Sequence, residues 1–311
     1  MSKECVVRIL HAQVYGRGVL HLGLILPNYG DGLDSERLAA VARAAEDAGF
    51  DSGWVTDHLI VPDEYAPIYG SISEALVSLG FLAGRTSRLQ LGVSALVVPQ
   101  RSPLVALKQL TTLDFLSRGR IVTAVAAGWM EGEFETLGAR FAQRGRLLDE
   151  WLDLTTSVFA QTPGRVRYEG ELLSVAGWFA PALVRPGGPE LWIAGVSRAT
   201  IRRAGKTGVW HPVALPPDEL RALGEGFDGR TILRISTYFA DEPKVGEDER
   251  GRHAIEGPPK WIAERLDEYL QAGCDGFVVN LDHERDGLED RVRRFGEEVL
   301  PFLSSQSTSS R

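Results

Sequence analysis

The sequence predicts an α/β protein: a (β/α)8 TIM barrel with one insertion between the helix after strand four and strand five. Three observations carry this. Eight short apolar runs alternate with amphipathic segments, which implies parallel strands joined by right-handed crossovers. The runs are continuously apolar, as in sheets covered on both faces. The first run ends in Leu26-Pro27-Asn28-Tyr29-Gly30. It lacks the GxGxxG turn of an open dinucleotide-binding sheet, and this weighs against the competing doubly wound architecture.

The elements follow in order. Leu20–Leu26 reads as the first buried strand. Asp34-Ser35-Glu36 opens a helix whose apolar face is Leu38, Val41, Ala42, Ala45 and Ala48, at helical spacing, and Gly49 ends it. Gly53–Thr56 is strand two, and Ile72–Leu82 is helical. Leu89–Val93 is strand three, bounded by Gly92 and Ser94. Pro103 starts the next helix, where its missing N–H costs nothing, and Gly119 caps that helix after Leu116. Ile121–Ala126 is strand four, followed by a helix from about Arg146 to Phe159. The Gly- and Pro-rich stretch Gln161–Gly188 reads as an excursion of hairpin and loop, which is the predicted insertion. Leu191–Ala194 is strand five, with a helix over Arg198–Lys206. Val209–Val213, Ile232–Phe239 and Gly276–Asn280 are strands six to eight. Pro258-Pro259 opens the helix carrying Ile262, Leu266, Tyr269 and Leu270. The last helix buries Val292, Phe295 and Val299. The acidic runs Asp241-Glu242 and Glu247-Asp248-Glu249 read as solvated loop.

With 311 residues, 44% hydrophobic and 24% charged, the chain has the composition of a globular protein. A barrel of roughly 250 residues folds as one unit. Residues 19–303 are therefore read as a single barrel domain, 1–18 as an N-terminal extension and 304–311 as a polar, disordered tail. The net charge of −8 argues against broad nucleic-acid binding. No run reaches the roughly 20 apolar residues of a membrane span, and residues 1–18 lack a signal-type apolar core. The two cysteines, Cys5 and Cys274, cannot build a tetrahedral zinc site alone. A reduced, cytoplasmic setting is expected, with a Cys5–Cys274 disulfide as the minor alternative.

In a barrel the chemistry gathers at the C-terminal ends of the strands. Strand two ends in Trp54-Val55-Thr56-Asp57-His58. His58, with Asp57 beside it, either exchanges a proton next to a redox ring or bonds a loop backbone. Strand three exits through Ser94-Ala95, small enough for a flat ring to approach the backbone, or simply a strand-to-loop exit. Strand four ends in Ala126-Ala127-Gly128-Trp129, where the indole walls an apolar pocket or packs under its loop. After strand five, Gly195-Val196-Ser197-Arg198 starts a helix whose N-terminus can bind an anion, with Ser197 equally a helix cap. His211 either faces the barrel mouth or orients its own loop, and Arg144 is either solvated or a ligand. No HExxH, Walker or GxSxG motif is present, and no metal site is expected.

These strand ends resemble the luciferase-like superfamily of flavin monooxygenases and deazaflavin-dependent oxidoreductases. The resemblance runs from Leu20 to Phe302. Its most specific stretch is Arg88-Leu89-Gln90-Leu91-Gly92-Val93 through Pro99-Gln100-Arg101-Ser102-Pro103 and on to Ser117-Arg118-Gly119-Arg120. The segments Gly49–His58, Glu131-Gly132-Glu133-Phe134-Glu135, Tyr168-Glu169-Gly170 and Leu191–His211 share it. The match is nearest to bacterial branches using coenzyme F-420, a deazaflavin. The resemblance implies a cofactor in the barrel mouth with His58 and Asp57 near the reacting ring. It implies a strand-three bulge at Ser94-Ala95, often a non-prolyl cis peptide, propping the ring's back face. It implies phosphate binding by Gly195, Val196, Ser197 and Arg198, and it adds Asn28, Gly128, Trp129, Arg144 and His211 as cofactor-lining candidates. Trp129 stands where the sugar-phosphate-oxidising branch has an acidic residue, so a sugar phosphate is not the expected substrate.

The expected function is hydride transfer between F-420 and a small organic substrate, with His58 handling the proton. An FMN-dependent monooxygenase using reduced flavin and oxygen is the first alternative, and a non-catalytic flavin- or deazaflavin-binding protein the second. The resemblance also implies a homodimer.

Overall fold

The computed structural model describes residues 20–30, 32–281 and 286–306, with side chains as far as 303. The expected extension 1–18 and Cys5 lie outside the described residues, as do 307–311. Eight parallel strands close into the barrel. They are β1 (His21–Ile25), β2 (Ser52–Val55), β3 (Gln90–Val97), β4 (Ile121–Ala126), β7 (Glu190–Ala194), β8 (Val209–His211), β9 (Arg230–Phe239) and β12 (Gly276–Asn280). Each coincides with one of the eight apolar runs. The insertion after strand four is a two-stranded antiparallel hairpin of β5 (Gly164–Glu169) and β6 (Ser174–Phe179). The helices are α1 (Ser35–Asp47), α2 (Ala66–Tyr69), α3 (Ala75–Ala83), α4 (Pro103–Ser117), α5 (Glu131–Thr136), α6 (Arg144–Gln161), α7 (Arg198–Thr207), α8 (Pro217–Gly224), α9 (Pro259–Gln271), α10 (Leu288–Glu298) and α11 (Leu300–Gln306). The last of these carries helical backbone into the expected tail.

The packing divides into two compact units. One comprises residues up to 27, 34–54 and from 192 onward; the other comprises 28–33 and 55–191. In the first unit, β1 lies between β12 and β2, with Gly23 registered on Val278 and on Ser52. Gly23 is required there, because a Cβ would stand 2.6 Å from Trp54 Nε1. The Trp54 indole instead donates to Ser52 Oγ at 2.7 Å, and His21 Nε2 meets the same hydroxyl at 2.8 Å. Trp192 lies 4.5 Å from Trp54 between ring centroids and 5.2 Å from His21. This aromatic cluster fills the centre of the unit. α1 begins where the sequence places it, with Asp34 Oδ1 accepting the Arg37 N–H at 2.7 Å.

Asp241-Glu242 is exposed loop as expected, and Glu247 and Glu249 are exposed, but the solvated-loop reading is corrected for Asp248 and for the backbone around it. The backbone forms a second hairpin, β10 (Lys244–Glu247) and β11 (His253–Gly257), and β11 runs parallel to β9. Asp248 is buried. Its carboxylate accepts from Arg250 Nε and Nη2 at 3.0 and 2.6 Å, from the Ser236 hydroxyl at 2.9 Å, and from the N–H groups of Arg250 and Arg252. Paired in this way, a charged loop tip can be buried. Burial alone would raise the Asp248 pKa, but the Arg250 and Ser236 bonds and the Arg250 charge hold it below the usual carboxylate range.

In the second unit, β3 pairs with β4, and the register shifts between Val93 and Leu96. The strand therefore continues past the predicted end at Val93, as far as Val97. The Ser94–Ala95 peptide inside the shift is cis. The predicted helix from Ile72 begins only at Ala75, capped by Glu74 accepting from Val77 N at 2.7 Å. Ile72 instead bridges to Tyr29, and Ser73 N donates to Asn28 O at 2.9 Å, so that segment is extended. α4 ends on Arg118, itself left-handed, while the Gly119 N–H reaches back to Asp114 O at 2.8 Å.

Candidate functional site

The second unit gathers most of the predicted residues, but not in the predicted roles. Asn28 is fully buried. Its Nδ2 donates to Thr56 O at 2.8 Å and Ser73 O at 3.3 Å, and its Oδ1 accepts from Thr56 N at 2.8 Å. The amide stitches three backbone segments together, so the cofactor-binding expectation for Asn28 is corrected: its side chain is consumed.

Asp57 is corrected as well. Asp57 lies beyond the end of β2 and turns toward Arg101. The pair is bidentate, with Nη1 to Oδ2 at 2.7 Å and Nη2 to Oδ1 at 2.8 Å, and Val97 N donates to Oδ2 at 2.9 Å. The Asp57 side chain has no exposure and that of Arg101 has 11%. Burial opposes the Arg101 charge, but the adjacent Asp57 carboxylate outweighs it and raises the guanidinium pKa. Asp57 is thus an anchor for the end of β3, not a partner of His58.

The partner of His58 is Glu133, which the sequence reading did not single out. His58 Nδ1 meets Glu133 Oε2 at 2.9 Å. The other oxygen, Oε1, accepts from Leu59 N at 2.6 Å and Ile60 N at 3.3 Å. Burial of Glu133 would raise its pKa, but the hydrogen bonds from His58 and Leu59, the His58 charge and a bond from Gln100 more than offset this and lower it. The signal available in sequence was the segment Glu131–Glu135, already singled out by resemblance. α5 turns its middle carboxylate inward there.

Aromatic rings enclose His58. Tyr69 lies 4.6 Å from it between centroids and Trp129 6.3 Å away at 90°. Tyr65 sits edge-on to Trp129 at 5.2 Å, and Tyr29 is 5.6 Å from Tyr69. Trp129 is 51% exposed, so its indole is a wall open to solvent and not core packing. Its direction is set by Gly128, at φ +89°, where a Cβ would stand 2.6 Å from Val97 Cγ1 and 2.7 Å from Phe134 Cε2. Arg144 Nε donates to Gly128 O at 3.2 Å, and its Nη1 donates to Phe141 O at 3.0 Å. Its guanidinium thus clips the end of β4 to the start of α6. Ser94 is buried, and Ala95 is partly exposed.

The first unit holds the remaining candidates. Gly195, at φ +132°, accepts the Trp210 indole N–H at its carbonyl, 2.8 Å away. A Cβ on it would stand 2.9 Å from Thr200 Oγ1. Ser197 caps α7 by accepting from Thr200 N at 3.2 Å, and its hydroxyl lies 2.9 Å from Thr200 Oγ1. Val196, Ser197 and Arg198 are exposed, leaving the helix start open to an anion. His211 is corrected. It has no exposure, bonds Ile232 O at 2.6 Å, and lies 5.7 Å from the Trp54 ring and 5.5 Å from the Trp192 ring. Burial lowers its pKa to about 3, so it is a neutral core residue that no ligand can touch.

His58 is therefore the titratable side chain of this set placed to act. Its Nδ1 is tied to a carboxylate, and its Nε2 has no hydrogen-bond partner among the described residues. A histidine so held can exchange a proton at one nitrogen while the carboxylate fixes the other. Among the described residues no cluster of three or more His, Cys, Asp or Glu side chains could hold a metal, and no helix is long and apolar enough to cross a membrane.

Comparison with known proteins adds an independent line. The family model described as luciferase-like monooxygenase matches residues 18–232. An uncharacterized protein of Mycobacterium tuberculosis is 27% identical over 230 residues, 66% of this chain and 80% of that one. The coenzyme F-420-dependent tetrahydromethanopterin reductase of Methanopyrus kandleri superposes with a TM-score of 0.74 at 16% identity, covering 92% of this chain and 99% of that one. The FMN-bound oxygenating constituent of 3,6-diketocamphane monooxygenase from Pseudomonas putida gives a TM-score of 0.71 at 16% identity, covering 91% and 98%. At these identities the two structures establish the shared barrel.

Proposed function

The chain belongs to the luciferase-like monooxygenase family, and from that premise we propose that it is a deazaflavin-dependent oxidoreductase. The reaction is hydride transfer between coenzyme F-420 and a small organic substrate, and His58 takes or gives the accompanying proton. The observation that carries this reading is His58 itself: fixed through Nδ1 by a buried carboxylate, roofed by Tyr69 and Trp129, and without a hydrogen-bond partner at Nε2 among the described residues.

The second unit fits the ring of such a cofactor, since the partly exposed Ala95 leaves room for a flat ring to approach the backbone, and in the first unit, taken by itself, the exposed start of α7, with Ser197 and Arg198, suits a phosphate. When bound, the deazaflavin supplies the hydride chemistry. His58 exchanges the proton at Nε2, Glu133 holds the imidazole in place, and Trp129, Tyr65 and Tyr69 shield it from water. Trp129 offers an apolar surface where an acidic side chain would favour a polar substrate, and this supports a neutral organic molecule.

The second reading is an FMN-dependent monooxygenase, favoured by the fold shared with the FMN-bound diketocamphane enzyme. Titration of the protein with oxidised F-420 and, separately, with FMN, followed by tryptophan quenching, decides between them. Tight binding of F-420 alone supports the proposal, and preference for FMN moves it to the monooxygenase. Binding of neither overturns both. With the cofactor identified, His58→Ala is expected to keep its affinity and lose turnover; full turnover in that variant would remove the proton role. A bound cofactor with no turnover across a broad substrate panel would leave a carrier.

The proposal extends to a homodimer. On α3 and α4 the apolar residues are not confined to the buried side: Val77 is 69% exposed, Val105 54%, and Phe115 and Leu116 each 56%. Helices apolar all round are made to be covered twice, and a second copy supplies the same surface.

A further inference from the structure

Glu133 faces two backbone N–H groups, the Gln100 side chain and His58, and this fixes where a proton must sit. The N–H groups of Leu59 and Ile60 can only donate, so Oε1, at 2.6 and 3.3 Å from them, can only accept. The side chain is fully buried, and the backbone N–H donors at Oε1 hold it as a carboxylate, so Oε2 also accepts. The group facing Oε2 at 2.9 Å is His58 Nδ1, which must therefore carry the hydrogen. Neutral imidazole holds one ring proton, so Nε2 keeps its lone pair.

We propose that Glu133 is a positioning residue that locks His58 in the Nδ1–H tautomer and makes Nε2 its sole point of proton exchange. This rests on the reading of His58 as the proton-handling group. Glu133 also pins the backbone of Leu59 and Ile60, so the tautomer and the course of the loop are set by one side chain. A proton taken from a substrate hydroxyl goes to Nε2, and the carboxylate at Nδ1 balances the resulting imidazolium.

The isosteric variant Glu133→Gln separates this role from simple loop bracing. Its amide oxygen can still accept from Leu59 and Ile60, so the loop contacts survive. Its amide nitrogen then faces His58 Nδ1 and donates, which requires a bare Nδ1 and moves the ring proton to Nε2. A residue that only braces the loop predicts no such inversion.

The test is 15N NMR of protein labelled at its six histidines, with the His58 signals assigned by their loss in His58→Ala. At a pH where the ring is neutral, the wild type is expected to show a protonated Nδ1 and a bare Nε2, and Glu133→Gln the reverse. Glu133→Asp keeps the charge and is expected to keep Nδ1–H. A wild type with Nε2–H, or a Glu133→Gln protein that retains Nδ1–H, overturns the proposal regardless of which cofactor binds. With His58 assigned, the wild-type spectrum tests the idea even if neither Glu133 variant folds. With cofactor and substrate, Glu133→Gln is expected to keep cofactor affinity and lose turnover on the order of 10²–10⁴-fold. Inversion of the tautomer with undiminished turnover would instead refute the proton role of His58, leaving the cofactor assignment untouched.

Discussion

Removing the Arg101 guanidinium, by Arg101→Leu, strands a carboxylate in the interior. Asp57 has no side-chain exposure and receives two of its three hydrogen bonds from Arg101, at 2.7 and 2.8 Å. Only the Val97 N–H at 2.9 Å would remain. Two unit charges about 4 Å apart attract by about 4 kcal/mol at an effective dielectric near 20. Breaking a buried pair from one side costs about 3–5 kcal/mol. The variant is therefore expected to lose that much stability, read as a lowered midpoint in urea by the fluorescence of the seven tryptophans. The double variant Arg101→Leu with Asp57→Asn carries no stranded charge and should recover part of the loss, with a coupling of roughly 0.5–3 kcal/mol. Val97 lies at the end of β3, so the single variant also loosens that strand end. His58 keeps its Glu133 bond throughout, and its ring tautomer should not move. A loss below about 1 kcal/mol, the range of exposed ion pairs, would refute the view of Asp57 as a desolvated anchor.

Further expectations concern pH, backbone and assembly. Burial, with positive neighbours, lowers the pKa of His21 and His211 from 6.5 to about 3, so both are neutral in the folded state while the unfolded chain takes up their protons below 6.5. Their contribution is complete above pH 6.5 and is lost on acidification, at up to about 1.4 kcal/mol per pH unit for each ring. A denaturation midpoint unchanged between neutral pH and the acid range would contradict this. Gly128→Ala combines a left-handed backbone with contacts at 2.6 and 2.7 Å and is expected to cost roughly 2–5 kcal/mol. Gly138→Ala, at φ +66° with nothing within 4 Å, should cost only about 1–2 kcal/mol in the same thermal melts; equal losses would show that crowding at 128 is not real. Val77→Glu with Phe115→Glu should convert a dimer to monomers in sedimentation velocity, whereas a wild type that sediments as a monomer would end the dimer proposal.

Much of the barrel was legible because parallel strands advertise themselves. β1, β4, β7 and β12 are short continuous apolar runs, and Asp34, Pro103 and Ser197 mark helix starts by their own chemistry. The hairpin of β10 and β11 was hidden because its tip is charged. The neutralising partners of Asp248 come from Arg250 and from Ser236 on another strand, and composition cannot pair them. At the strand ends, position was readable but direction was not. Asp57 and His58 are neighbours in sequence, yet beyond the end of β2 their side chains part, one to Arg101 and one to Glu133. Asn28 and His211 stand at strand ends whose side chains turn into backbone and core. The His58–Glu133 bond spans 75 residues, a pairing no local pattern encodes.

Trp129 and Glu133 belong to one short stretch of chain, with Gly128 fixed at its start and Phe134 buried at its end. The half-exposed indole faces outward, while the carboxylate four residues on faces His58. On the proposed reading, what the mouth admits and how the imidazole is held both depend on this segment but answer to different kinds of change. A change of residue at 129 reshapes the wall beside His58 but leaves its bond to Glu133 in place. The length of the stretch cannot change, because one inserted residue would swing Glu133 by about 100° around the axis of α5 and leave His58 without its carboxylate. Diversification of this enzyme at that strand end should proceed by substitution and not by insertion or deletion.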